Sequence, residues 1–190
     1  MPPPYELHKK KMVKFVSLNY KHVFSFEYLY ERLHEWLIDE GYMTTSDDKW
    51  IEKLYLERVS GNGAKQIWVW WRTDKMWPGG FIKYYFDIDF HVLGLTSAEI
   101  VHEGNKVKTD KGECEVFVTA YMEIDPSKGW DTNILLKNEY LRNFFLNRIY
   151  KAKIEEAEDN LIKDTSRLLG AVKQYFQLES FIPEYAEKPF

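Results

Sequence analysis

From about residue 54 to residue 124 the apolar side chains recur every second position, and the tract is interrupted only by turn signals two or three residues long. That feature constrains the fold more than any other. A parallel pair of strands needs a crossover of a dozen residues or more, so turns this short can join only antiparallel neighbours. The tract therefore reads as an antiparallel meander. Residues 54–59 and 64–73 flank Gly61-Asn62-Gly63, a hairpin signal. Residues 81–93 form the clearest strand, with Tyr84, Phe86, Ile88, Phe90 and Val92 on one side and Lys83, Tyr85, Asp87, Asp89 and His91 on the other. Residues 98–103 and 106–109 flank Gly104-Asn105 as a more polar hairpin, and Asp110-Lys111-Gly112 reads as a further turn. Residues 113–124 then place Cys114, Val116, Val118, Ala120, Met122 and Ile124 on one apolar face.

Ahead of the meander, residues 12–24 have strand composition, with a slip in alternation between Phe15 and Val16 that a bulge would explain. Ser25 stands where an N-cap belongs, and Phe26, Leu29, Tyr30, Leu33, Trp36 and Leu37 follow at three and four spacing until Gly41 supplies the stop. Residues 44–51 read as a turn or one short helix.

Behind it, residues 133–180 contain no proline and have helical composition. A straight helix of that length would span ~72 Å, whereas a thirteen-residue strand covers ~43 Å. One straight helix cannot be covered along its whole length. The stripe of Leu141, Phe144, Phe145 and Ile149 passes to a rotated line of Ile154, Ala157, Leu161, Leu168, Val172 and Phe176 across an acidic run, so a kink or break is expected near residues 156–160. Asp159 with Lys163 and Asp164 with Arg167 argue mildly for continuity. Gly170 points to a close helix approach or a local break. The tail from Pro183 reads as irregular. The expected fold class is α+β: six to seven antiparallel strands, an N-terminal helix and a long C-terminal helix on one face, in a single domain over residues 1–182 with a tail over 183–190.

Composition narrows the function classes. The 190 residues include 32 aromatics (7 Trp, 13 Tyr, 12 Phe), one cysteine and a net charge of −4. A chain of this length buries roughly 70% of its unfolded surface and needs no disulfide or metal staple. The acidic balance disfavours nucleic acid. Residues 1–22 carry five lysines against Glu6, and Lys9-Lys10-Lys11 reads as a solvated lead-in to the first strand. No apolar run exceeds the five residues 67–71, which excludes a transmembrane segment of the helical kind. With no signal-peptide pattern, the expected location is cytoplasmic.

The order of strand, helix, meander and long C-terminal helix resembles the helix-grip superfamily, which includes START-like and polyketide-cyclase-like proteins. The resemblance covers residues 12–149 and rests on topology, without a diagnostic motif. It implies a curved sheet around the last helix and a hydrophobic pocket between them, and says nothing about chemistry. The last helical region is longer than that pattern, and the fifth and sixth strands are short and polar.

Few constellations carry chemistry. Asp87, Asp89 and His91 share a strand face, but alternate residues lie ~6.6 Å apart, too far for one ion to use all three. His34-Glu35 starts like a zinc-protease motif and fails at Ile38, where the second histidine belongs. Cys114 falls on an apolar face with no evident base and reads as core. Gly61-x-Gly63 lacks the third glycine of a dinucleotide loop. No catalytic residues, metal ligands or cofactor are assigned.

Two surfaces remain. Trp68 and Trp70 lie together on one strand face, with Trp77 nearby, and such a face is either covered or a binding surface. Leu161, Leu168, Val172 and Phe176 on the last helix need a partner: the same domain, a second copy, or another protein. The leading expectation is a non-enzymatic interaction module, with a protein partner or self-association through these surfaces. The alternative is a carrier of a hydrophobic small molecule lined by Tyr84, Phe86, Phe90, Leu141, Phe144 and Phe145. A hydrolase or cyclase using Asp87, Asp89 or His91 ranks third.

Overall fold

In the computed structural model, described over residues 9–43, 51–102, 105–134, 136 and 138–176, one five-stranded antiparallel sheet carries two long helices. The elements are β1 (Lys10–Phe24), α1 (Phe26–Asp39), β2 (Glu52–Val59), β3 (Lys65–Met76), β4 (Ile82–His102), β5 (Asn105–Ile124), a one-turn α2 (Gly129–Thr132), α3 (Glu139–Phe144), a π-helical turn (Phe145–Ile149) and α4 (Lys151–Tyr175). The sheet order is β1-β5-β4-β3-β2, so the meander runs back across the sheet and β1 pairs with the last strand. The fold class is α+β, as the sequence pattern required. The side chains of residues 100–102 and 105–107 lie outside this description, as do residues 44–50 of the turn or short helix expected over 44–51 and the tail from Pro183.

Five strands stand where six to seven were expected, because the glycines at 94 and 112 bend strands instead of ending them. Leu93 faces Glu113 and Thr96 faces Lys111, so Gly94 and Leu95 together oppose Gly112, which is the two-against-one count of a bulge. Gly94 takes φ +61°, the left-handed region that costs other residues energy. Gly112 makes room opposite: a Cβ there would sit 3.0 Å from the Leu93 carbonyl oxygen and 3.2 Å from Leu95 Cα. The bulge in β1 lies between Met12 and Lys14, not at Phe15/Val16. Phe15 is an outward residue stacked on Phe117, with ring centroids 6.5 Å apart, so no slip exists there.

Both long helices lie on one face of the sheet. Ile82, Tyr84, Phe86, Ile88, Phe90 and Val92 of β4 and the even-numbered apolar residues from Cys114 to Ile124 of β5 are buried beneath them. Ser25 caps α1 by accepting from the Tyr28 N–H, and Leu29, Leu33 and Leu37 are buried along its inner stripe. The helix break falls at Tyr150, after the π-helical turn, rather than near 156–160. The acidic run does not disturb α4, because Ile154, Ala157 and Leu161 keep three and four spacing on the buried side while Glu155, Glu156 and Asp159 face solvent. Gly170 sits within the continuous helix, with nothing within 4 Å of where a Cβ would be. No described helix is long and apolar enough to cross a membrane.

Hydrogen bonds fix how the helices sit. Tyr42 donates to Asp164 of α4 at 2.8 Å, and Arg167 reaches both Asp164 and Glu40 at 2.7 Å. The Tyr175 hydroxyl accepts from the Ser25 N–H at 2.9 Å and donates to the Ser25 carbonyl at 2.7 Å. The buried Asp125 carboxylate accepts from Gly129 and Trp130 N–H, both at 2.9 Å, and so closes the turn after β5.

Candidate functional site

The face of the sheet opposite the helices is built by the odd-numbered residues of β4 and β5, the even-numbered residues of β3 and the outward positions of β1 and β2. Side chains of this face engage one another. Arg72 donates to Asp89 at 2.6 Å, pairs with Asp87 at 3.5 Å and donates to the Trp71 carbonyl at 2.7 Å. Its guanidinium carbon also stands 5.9 Å from the Trp70 ring centroid. Lys83 pairs with Asp74 at 2.9 Å, and Lys10 stands 3.7 Å from the Tyr85 ring, whose hydroxyl bonds Glu123.

Asp87, Asp89 and His91 do share this face, but each is committed elsewhere. The two aspartates share one guanidinium. Partial burial pushes the Asp87 carboxyl above its ordinary 3.8, and Arg72 pulls it back. His91 stacks under Trp68 at 5.2 Å and 19°, its Nδ1 lies 2.9 Å from Glu115, and its Nε2 lies 3.2 Å from the Gln66 amide nitrogen. Both ring nitrogens thus face a polar partner, and the arrangement orients an aromatic plate.

The tryptophans separate by role. Trp71 is a core residue, edge-on to Tyr30 at 4.6 Å and to Phe90 at 4.9 Å. Trp68 is half-covered by His91. Trp70 is 45% exposed, and the cross-strand neighbour beside it on β2 is Leu54. Trp77 turns inward at the β3–β4 turn and packs partly against the core. Phe15, Phe117 and Tyr121 join Tyr85 on the outer face, although their apolar neighbours at even positions dominate the sequence pattern.

The other expected groups fall elsewhere. Leu161, Leu168, Val172 and Phe176 are buried in the chain's own core, Phe176 stacking on Tyr20 at 4.3 Å, so they form no outer surface. Tyr84, Phe86 and Phe90 are buried, whereas Leu141 and Phe144 are exposed and Phe145 starts the π-helical turn, so the six are not brought around one space. The Tyr84 hydroxyl donates to the Ala157 carbonyl at 2.7 Å, and Phe86 lies 4.5 Å from Tyr42. Among the described residues, an open hollow of about 450 Å³ lies between α1 and the end of α4, and another of about 1310 Å³ lies between one flank of α4, Lys14 and Val16 of β1, and Lys75, Trp77 and Tyr84 around the β3–β4 turn. Of those six aromatic and aliphatic residues only Tyr84 borders either.

No protein-family model matches the chain, and no curated protein matches it. Among solved structures it is similar to a Staphylococcus aureus protein of unknown function, SA2116, at 11% identity over 89% of this chain and 96% of that one, with a TM-score of 0.24.

Proposed function

We propose that the chain is a non-enzymatic interaction module that associates through the open face of its sheet, with itself as the first partner. The observation that carries this reading is Trp70, a large aromatic left 45% exposed on a face opposite both long helices. Tryptophan is among the side chains most enriched where binding energy concentrates. The locked Arg72, Asp87, Asp89 and His91 support the same reading, since they hold a rigid rim around the aromatics and need no ordering when a partner arrives. The mixed charge of the face, with Asp87 and Asp89 beside Arg72 and Asp74 beside Lys83, suits a protein surface better than a phosphate backbone. The pairing of β1 with the last strand, and α4 lying across the inner face, support a helix-grip-like arrangement; a cytoplasmic location belongs to the same proposal.

Size-exclusion chromatography with light scattering tests it. The wild-type chain is expected to show concentration-dependent self-association that Trp70→Ala weakens at least tenfold. A strictly monomeric species, unaffected by Trp68→Ala or Trp70→Ala, would remove the reading's main support.

A further inference from the structure

We propose that two copies of the chain join through the β2 edge, β2 pairing antiparallel with its own copy about a two-fold axis at Tyr55. This rests on the self-association reading and names the element that makes the contact. Each sheet edge presents unpaired N–H and C=O groups, and proteins keep neighbours off such edges with lysines and bulges. The β1 edge has both devices, with Lys10, Lys11, Lys14 and Lys21 along it and a bulge between Met12 and Lys14. The β2 edge carries fewer, one lysine, Lys53, at a bulge between Glu52 and Leu54, and beyond that bulge it leaves Tyr55 at 48%, Leu56 at 44% and Val59 at 63% exposure.

The residues of β2 select one register. Opposed residues in an antiparallel ladder share a face, so a symmetric pairing must be centred on a residue. Centred on Tyr55, Leu54 meets Leu56 of the second copy and Lys53 meets its Glu57, each twice by symmetry. Centred on Leu56, Tyr55 meets Glu57 and Leu54 meets Arg58; centred on Glu57, that carboxylate meets its own copy. Only the first places apolar against apolar and opposite charges together. Glu57 already takes Lys65 on Oε1 at 3.0 Å, and a carboxylate accepts further bonds, so a second lysine adds to that pair.

The same register extends the apolar row that Trp70 begins. Within one chain Leu54 lies beside Trp70 and Leu56 beside Trp68. Across the junction the outer face then reads Trp70, Leu54, and next the Leu56 and Trp68 of the second copy. An apolar row that stops at the edge of one chain continues into the other.

Cross-linking of the full chain tests the register. At the two-fold position the Cα atoms of opposed residues stand ~4.5–5.5 Å apart, within disulfide reach, whereas the two copies of residue 59 would be ~27 Å apart. The single native thiol, Cys114, is buried and does not compete. Under mild oxidation Tyr55→Cys is expected to form a covalent dimer and Val59→Cys is not; equal linking in both, or none in either, overturns the register. Lys53→Glu is expected to weaken the dimer roughly tenfold, through two like-charge pairs, and Lys53→Glu/Glu57→Lys to restore it. A dimer indifferent to Lys53→Glu but lost in Trp70→Ala overturns this inference and leaves self-association through the face standing. A wild-type chain that stays monomeric overturns both.

Discussion

The Tyr42 hydroxyl and the Asp164 carboxylate meet at 2.8 Å across 122 positions of sequence, both buried, and Arg167 closes the carboxylate's other oxygen at 2.7 Å. This contact ties the end of α1 to the middle of α4. Tyr42→Phe removes one charge-assisted bond but leaves Arg167 in place, and is expected to cost about 2 kcal/mol. Asp164→Ala strands the buried Tyr42 hydroxyl and leaves Arg167 with Glu40 alone, and is expected to cost about 3 kcal/mol. Urea midpoints at constant slope would show both losses; an Asp164→Ala variant as stable as wild type would refute the tie.

Alkaline pH should unfold the chain through its buried tyrosines. Burial raises the Tyr42 phenol above its ordinary 10.0, with the Asp164 charge adding to it, and burial raises Tyr84 likewise. Below pH 10 both states keep these protons, and stability does not change with pH on their account. Above it the unfolded chain releases them while the folded chain holds them, so stability falls as pH rises, by up to about 1.4 kcal/mol per pH unit for each tyrosine. Phenolate absorbance and circular dichroism are expected to change together at alkaline pH. Smooth ionisation of every tyrosine with circular dichroism unchanged would contradict this.

Cys114 should be unreactive in the folded protein. Burial pushes its thiol up to about 12, with Glu115 contributing, and the side chain has no exposed surface. Iodoacetamide at neutral pH is expected to label it only after denaturant is added. Rapid labelling of native protein would show that β5 opens locally.

Two glycines should respond in opposite directions to the same substitution. Gly112→Ala drives a Cβ into the Leu93 and Leu95 backbone and is expected to destabilise by about 2 kcal/mol, since backbone atoms cannot move aside as a flexible side chain can. Gly170→Ala enters open space within a helix and is expected to stabilise by about 1 kcal/mol. Thermal melts of the two variants should shift to opposite sides of wild type.

The period-two tract and the capped first helix were legible because each is a local code: a side-chain period, a turn residue, a cap. What the sequence hid was whether a glycine ends a strand or bends it. Gly94 and Gly112 read as punctuation, and only their lateral opposition in the register shows them to be one bulge. The stripe on α4 was visible from its spacing, but its coverage depended on which strand lies beneath. Phe176 settles against Tyr20, a residue 156 positions away, which no local pattern announces. The face carrying Trp68 and Trp70 was found by parity alone. The edge chemistry of β2 was not, because strand order is a property of the whole sheet.

The placement of β1 beside β5 also sets an order of events in folding. Met76 faces Lys83 across a short turn, whereas Lys10 faces Glu123 and Phe24 faces Asp110. Contacts between residues near in sequence close at small entropic expense, so the meander can assemble while the chain's two ends remain loose. Pulse-labelling hydrogen exchange should find β3 and β4 amides protected before those of β1. A ribosome delivers this protein with its first strand waiting, an unpaired ribbon of lysines, until the last strand exists to receive it.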